Sequence, residues 1–165
     1  KKCNNGEINT CVKLGRMYLY GEGIKKNINK TIEYYRKACD GGMISVCGDL
    51  GDLYHHGYHI EKNMNKAKMY YKKGCNGGDY HSCNFLGGMY ERGAGVTKNY
   101  SKALSLYTKS CNAGDVDGCF ALGQMYEEGK GVIQNNYKAL SFYRKSCGGD
   151  SNCEYMSEFE ASLNK

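Results

Sequence analysis

Ten cysteines are the residues of this 165-residue chain whose type and spacing most directly suggest chemistry. They could form disulfides, bind a metal or take part in redox exchange. A metal role is disfavoured because Cys-x7-Cys lacks the spacing of common zinc sites, and a redox role because the chain has no Cys-x-x-Cys pair. Disulfides persist in oxidising compartments, so we predict structural bridges and a location outside the cytoplasm. The alternative is a reduced cytosolic protein with ten free thiols. The cysteines occupy positions 3, 11, 39, 47, 75, 83, 111, 119, 147 and 153.

Three nearby histidines are the densest group of other potential metal ligands: His55, His56 and His59. On a continuous helix, residues 55 and 59 would lie one turn apart on the same face, as in some zinc sites. Gly57 is expected to end the helix between them, so the sequence predicts no metal site and no cofactor.

Serine chemistry has little support in the repeated part of the chain. A serine β-lactamase needs a Ser-x-x-Lys box, and the nearest patterns in the repeats are Thr10-Cys11-Val12-Lys13 and Ser141-Phe142-Tyr143-Arg144. Neither a Gly-x-Ser-x-Gly elbow nor a phosphate-binding glycine loop occurs. The sequence therefore predicts no catalytic residues.

Charge and hydropathy exclude two further classes. The net charge is +6, but basic and acidic residues are interleaved rather than gathered on one stripe, as a nucleic-acid binder would have them. No apolar run approaches the roughly 18 residues that span a membrane. The chain opens at Lys1-Lys2-Cys3 without a signal peptide, so we expect an export signal upstream of this segment.

The elements that must position the cysteines follow a period of 36 residues. Cysteine spacings alternate between 8 and 28 residues, until a final spacing of 6. Such self-similarity is typical of repeat architectures. The other repeated residues are Leu14, Leu50, Leu86 and Leu122, each followed by glycine; Tyr18, Tyr54, Tyr90 and Tyr126; Tyr35, Tyr71, Tyr107 and Tyr143; and the turn glycines Gly21, Gly57, Gly93 and Gly129.

Each unit is predicted to form two helices, here called A and B. In helix A, Cys47, Leu50, Gly51 and Tyr54 lie at i, i+3, i+4 and i+7, which is one helical face. Glycine costs about 1 kcal/mol inside a helix, so its recurrence predicts two backbones in close approach. Helix A should end at a left-handed turn glycine, and helix B follows, as over 101–111. Stacking of neighbouring units would bury the faces that one pair leaves open.

The combined pattern resembles a known family. Leu-Gly-x-x-Tyr-x-x-Gly-x-Gly-Val followed by Lys-Ala-x-x-x-Tyr is similar to the Sel1-like repeat, a relative of the tetratricopeptide repeat. The Cys-x7-Cys step resembles the secreted Helicobacter cysteine-rich proteins. The resemblance implies an all-α fold, a right-handed α/α solenoid of disulfide-stapled helix pairs. The expected single domain, 1–165, has repeats at about 7–42, 43–78, 79–114 and 115–150, and a C-terminal capping helix within 151–165.

Two disulfide schemes fit the spacings. Cysteines eight apart would join helix B to the next helix A, whereas cysteines 28 apart would join A and B of one repeat. The first scheme uses all ten cysteines, the second leaves Cys3 and Cys153 unpaired, and the resemblance implies the first. We therefore predict Cys3–Cys11, Cys39–Cys47, Cys75–Cys83, Cys111–Cys119 and Cys147–Cys153.

A second face of helix A does not repeat. Positions 9, 13, 16 and 20, and their counterparts every 36 residues, differ in each copy; we call them the A-helix stripe. In related repeats the A helices line the concave side, so the resemblance implies a groove here; the alternative is a solvated face that varies freely. Phe85 is predicted to be exposed, Gly88 and Ala121 to leave room beside it, and Arg16 and Arg92 to grip a carboxylate. The candidate groove residues are Arg16, Tyr20, Asp49, Asp52, His56, His81, Phe85, Gly88, Arg92, Asp117, Gln124 and Glu128.

Two functions follow as hypotheses. The first is a secreted or periplasmic, monomeric scaffold that binds peptide or protein segments in the concave groove. The alternative, implied by the resemblance alone, is a penicillin-binding protein with weak β-lactamase activity on β-lactams or cell-wall peptides. At the C-terminal end, Ser157 to Leu163 are expected to form a polar capping helix, with Tyr155 and Phe159 packing inward.

Overall fold

The computed structural model describes residues 7–148 and 154–163, with side chains from Met156 onward in the last helix. Over these residues the chain is helical and contains no strand, as predicted. The helices are α1 (Ile8–Tyr20), α2 (Ile28–Asp40), α3 (Ile44–His56), α4 (Met64–Asn76), α5 (Tyr80–Arg92), α6 (Tyr100–Asn112), α7 (Val116–Glu128), α8 (Asn136–Ser146) and α9 (Glu154–Leu163).

The chain divides into two compact units, with the boundary between Ser82 and Cys83 inside α5. In the first, hereafter unit 1, α1 packs on α2, α2 on α3, and α3 on α4. In the second, unit 2, α6 packs on α7, α7 on α8, and α8 on α9. Odd-numbered helices α1 to α7 are the predicted A helices, and even-numbered helices are the B helices.

Local sequence sets both ends of each helix pair. The A helix ends at a left-handed glycine, as predicted; Gly57, for example, has φ 74° and its N–H donates to the Leu53 carbonyl. The B helix begins at an asparagine whose side chain accepts a hydrogen bond from the backbone N–H three residues on, a standard N-cap. This cap recurs at 2.9–3.1 Å for Asn27, Asn63, Asn99 and Asn135. This cap was not among the features predicted from the sequence.

The recurring helix-A glycine makes room for an aromatic ring, not for a second backbone. A Cβ at Gly51 would lie 2.5 Å from the Tyr71 ring, and one at Gly87 would lie 2.7 Å from the Tyr107 ring. Gly15 and Gly123 face Tyr35 and Tyr143 in the same way. The expectation of close backbone approach was therefore wrong, because the buried B-helix tyrosine fills the space.

The B–A links are bridged by disulfides. Cys39–Cys47 and Cys111–Cys119 are bonded, with Cα atoms 5.1 and 4.5 Å apart. These are two of the predicted bridges, each joining the end of a B helix to the first turn of the next A helix. The described cysteines Cys11, Cys75, Cys83 and Cys147 are also disulfide-bonded, whereas Cys3 and Cys153 lie outside the described residues.

The last helix packs against the fourth repeat. Met156 and Phe159 of α9 are buried, and the Phe159 ring meets Tyr143 edge-on with ring centres 5.3 Å apart. The helix starts three residues earlier than the expected Ser157. The side chain of Tyr155, expected to pack inward, lies outside the described part of this helix.

Candidate binding surface

In unit 1, four of the predicted groove residues come together around one pocket. Arg16 and Tyr20 of α1 face Asp49 and Asp52 of α3 across a space of about 500 Å³. The positions therefore meet between adjacent A helices, as expected from their spacing on the non-repeating face. The other lining residues are Leu19, Glu22, Tyr35 and Leu53.

Arg16 interacts with both Tyr35 and Asp49 in the pocket. Its guanidinium donates to the Tyr35 hydroxyl and lies close to the Asp49 carboxylate. Burial, reinforced by the charge of Asp49, raises the pKa of Tyr35 to about 12. Burial, and then repulsion from Asp52, raise the pKa of Asp49, while Arg16 acts in the opposite direction. One arginine thus only partly compensates two adjacent half-buried carboxylates.

A buried tyrosine holds the second carboxylate. Tyr71 is 1% exposed and its hydroxyl donates to Asp52 Oδ1 at 2.6 Å. Burial, and then this hydrogen bond, raise the pKa of Tyr71. In unit 2, Tyr107 donates to Glu91 Oε2 at 2.8 Å, although Glu91 lies three residues further along its A helix than the register of Asp52. The core tyrosines therefore pack the repeat with their rings and orient surface carboxylates with their hydroxyls.

His55 and His56 pack against neighbouring aromatic rings. Gly57 ends α3 directly after His56, as predicted, and the exposed His56 ring stacks on Tyr58 with centres 5.0 Å apart. His55 tilts against Tyr71, and His59 lies in the following turn at φ 57°. Among the described residues, no group of three or more His, Cys, Asp or Glu side chains is arranged to hold a metal.

The predicted stripe looks different in unit 2. Phe85 is half-buried rather than exposed. The guanidinium of Arg92 lies over the buried Gly88, so that a Cβ added at Gly88 would lie 2.8 Å from it. Arg92 therefore fills the room that Gly88 was expected to leave beside Phe85. Lys130 contacts two carboxylates, Glu91 at 3.1 Å and Glu128 at 2.7 Å.

The remaining stripe residues are scattered. His81, in unit 1, is exposed. It acts to lower the pKa of Asp49, against the larger effect of burial. In unit 2, Asp117 is exposed in the first turn of α7, and Gln124 is half-buried. Neither lines the pocket around Arg16.

Four residues of these contacts were not predicted as site residues from the sequence: Glu22, Tyr35, Glu91 and Lys130. Tyr35 was assigned to the core by its period, which hid the polar contact of its hydroxyl. Glu22 and Lys130 occupy the same register position in the A–B loop, where Tyr58 and Ala94 stand in the other copies. The variation at this register position is the signal that could have revealed Glu22 and Lys130.

Within the repeats, no serine is followed by a lysine three residues later. Thr10 donates to Glu7, and Ser141 donates to the Lys138 carbonyl at 2.7 Å. One Ser-x-x-Lys does occur after the last repeat, at Ser162-Leu163-Asn164-Lys165, so the absence of this box holds for the repeats alone. Ser162 donates to the Phe159 carbonyl at 2.6 Å, and Lys165 lies outside the described residues.

Helix pairs with one constant packing face and one variable face define the class of α/α repeat scaffolds, which typically bind other proteins. The chain belongs to the Sel1 repeat family, whose profile matches residues 9–43, 46–79, 81–115 and 116–151. None of the described helices is long and apolar enough to cross a bilayer. The disulfides and the cysteine-rich relative described next indicate an oxidising, extracytoplasmic environment.

Several solved structures are similar. Helicobacter pylori cysteine rich protein B is 34% identical with a TM-score of 0.61, covering 84% of this chain and 98% of that protein. The protective antigen c5321 of uropathogenic Escherichia coli is 28% identical with a TM-score of 0.87, covering 97% of this chain but only 35% of the antigen. A Sel1 repeat protein from Oxalobacter formigenes, 24% identical over 96% of this chain and 71% of its own length, shares the fold with a TM-score of 0.79. A search of curated proteins returned no match.

Proposed function

We propose that this protein is a secreted or periplasmic scaffold that binds extended peptide or protein segments along its A-helix stripe. The observation that carries the proposal is the pocket of about 500 Å³ in unit 1, where Arg16, Tyr20, Asp49 and Asp52 meet. The proposal includes a monomeric chain whose four repeats and final helix fold as one domain.

Four features support this proposal. The pocket residues differ from repeat to repeat, although the packing face around Gly51 and Tyr71 is constant. Polar and aromatic side chains line the pocket together, which suits peptide backbones and mixed side chains. Membership of the Sel1 repeat family supports a role in protein–protein interaction, and disulfides across the B–A links support export.

The β-lactamase alternative rests on the resemblance alone. No observation on the described residues favours it over binding, because Ser141 and Thr10 donate to nearby groups of their own helical turns. We expect the oxidised protein to hydrolyse nitrocefin no faster than a heat-denatured sample.

The binding proposal is tested with an unbiased peptide library. Random dodecamers displayed on phage are selected against the oxidised full chain, and synthetic peptides from enriched clones are titrated by calorimetry. Arg16→Ala should weaken binding at least fivefold, because Arg16 lies in the pocket. Lys72→Ala is the matched control, since it removes one exposed positive charge from the B helix α4.

Two results would count against the proposal. One is the absence of any saturable peptide binding by the oxidised chain. The other is equal weakening by both variants, which would indicate a general charge effect. Export is tested separately by alkylating thiols in intact cells: secreted protein should react only after reduction, whereas prompt labelling of all cysteines would indicate a reducing compartment.

A further inference from the structure

Carboxylates outnumber cations around the unit 1 pocket. Glu22, Asp49 and Asp52 line it together with a single basic side chain, Arg16. Arg16 already donates to the Tyr35 hydroxyl. The pocket therefore has a formal excess of negative charge, although the protein as a whole is basic, with a net charge of +6.

The positions of these carboxylates favour an incoming cation. The pKa of Asp49 is raised by burial and by repulsion from Asp52, so the ionised pair is electrostatically under-compensated. Tyr71 fixes one oxygen of Asp52 at 2.6 Å. A cation placed between the two carboxylates would relieve their repulsion and gain charge-assisted hydrogen bonds.

Aromatic and aliphatic groups beside the carboxylates suit a long side chain. Tyr20 lines the pocket and is 60% exposed, and Leu19 and Leu53 supply apolar surface. The methylene stem of lysine or arginine packs on such groups while its head reaches polar partners, and an exposed tyrosine face attracts the cation itself.

Unit 2 gives an internal comparison. There Lys130, from the A–B loop of the fourth repeat, reaches Glu91 at 3.1 Å and Glu128 at 2.7 Å, so the chain itself supplies the cation to that unit's carboxylates. At the register of Lys130, unit 1 has Glu22 and Tyr58. Asp49 and Asp52 lie at other register positions than Glu91 and Glu128, and the basic side chain that lines their pocket is Arg16.

We propose that the unit 1 pocket receives a lysine or arginine side chain of the bound segment, with Asp49 and Asp52 as its counterions and Tyr20 beside its stem. This rests on the proposed function and adds the chemistry of the partner: a protein segment with a basic residue at its centre. Arg16 then contacts the segment's backbone carbonyls or a flanking acidic residue.

The test uses four pools of fluorescein-labelled dodecamers, randomised except for a central Arg, Lys, Gln or Glu. Binding to the oxidised full chain is measured by fluorescence polarisation. The Arg and Lys pools should bind at least fivefold more tightly than the Gln pool, with the Glu pool weakest. Asp49→Asn and Asp52→Asn keep side-chain size and should remove the preference. Glu61→Gln, which neutralises an exposed carboxylate in the loop before α4 and outside the A-helix stripe, should leave it unchanged.

The outcomes separate this inference from the function on which it rests. Equal binding of all four pools that Arg16→Ala weakens would overturn the basic-residue preference and leave the binding function standing. Preference for the Glu pool would overturn it as well, because Arg16 would then dominate. Absence of binding by every pool would overturn both, and melting curves verify that each variant remains folded.

Discussion

Replacing Gly51 by alanine tests the packing of the repeat most directly. A Cβ at this position would lie 2.5 Å from two atoms of the Tyr71 ring and 3.0 Å from a third. Ordinary contact distances are about 3.5–4.0 Å, so the ring must move by roughly an ångström. Tyr71 is 1% exposed, which leaves the ring no open space into which it can move.

The expected loss of stability follows from three effects. Overpacking of a core costs about 1–3 kcal/mol, and displacing the Tyr71 hydroxyl from Asp52, now 2.6 Å away, costs about 1 kcal/mol more. Alanine returns about 1 kcal/mol of helix propensity relative to glycine. We therefore expect Gly51→Ala to lower the free energy of unfolding by about 1–3 kcal/mol.

The assay is urea unfolding of the oxidised protein, followed by circular dichroism at 222 nm. Tyr71→Leu is measured alone and combined with Gly51→Ala, while Tyr71→Phe isolates the hydrogen bond. If the ring causes the cost, Gly51→Ala should be much less harmful in the Tyr71→Leu background. Unchanged or increased stability of Gly51→Ala, or an equal cost in both backgrounds, would refute the reasoning.

Four other predictions can be checked by the same or simple methods. Asn63→Ala should lower the free energy of unfolding by about 1 kcal/mol through loss of the α4 N-cap. Asn65→Ala, at an exposed position in the first turn of the same helix, should change it by less than about 0.5 kcal/mol in urea unfolding. His59→Gly should stabilise by about 0.5–1 kcal/mol, because His59 has φ 57° where the other repeats have glycine; a loss in urea unfolding would contradict this. The raised pKa of Asp49 means that the folded state holds this proton more tightly than the unfolded state. Its ionisation therefore disfavours folding above the folded-state pKa, and the penalty disappears as pH falls through that pKa. Asp49→Asn should accordingly stabilise at pH 7 more than at pH 4 in urea titrations. A single-domain chain should melt with equal calorimetric and van't Hoff enthalpies, and two resolved transitions would instead match the two compact units.

Most of the fold could be predicted from the 36-residue period of the sequence. Cys47, Leu50 and Tyr54 share one helical face in the sequence and are buried together in α3, and the turn glycine after His56 ends that helix as expected. The N-cap at Asn63 was equally local and could have been found from its place before each B helix. The half-burial of Phe85 could not be read from its register alone, because exposure depends on the side chains that pack around a position in the folded protein.

The period and the two-helix unit were determined by the sequence by itself, because each depends on contacts that recur at constant separations. The cysteine spacings fitted bridges of either 8 or 28 residues, and the structure has the bridges Cys39–Cys47 and Cys111–Cys119. The tertiary structure decided what the variable positions do. It brought Arg16 of α1 against Asp49 of α3, joined Tyr71 to Asp52, and placed Lys130 on the carboxylates of unit 2. These contacts join residues from different helices or loops, and whether a charge remains uncompensated depends on their geometry and burial, which no pattern of residue types specifies.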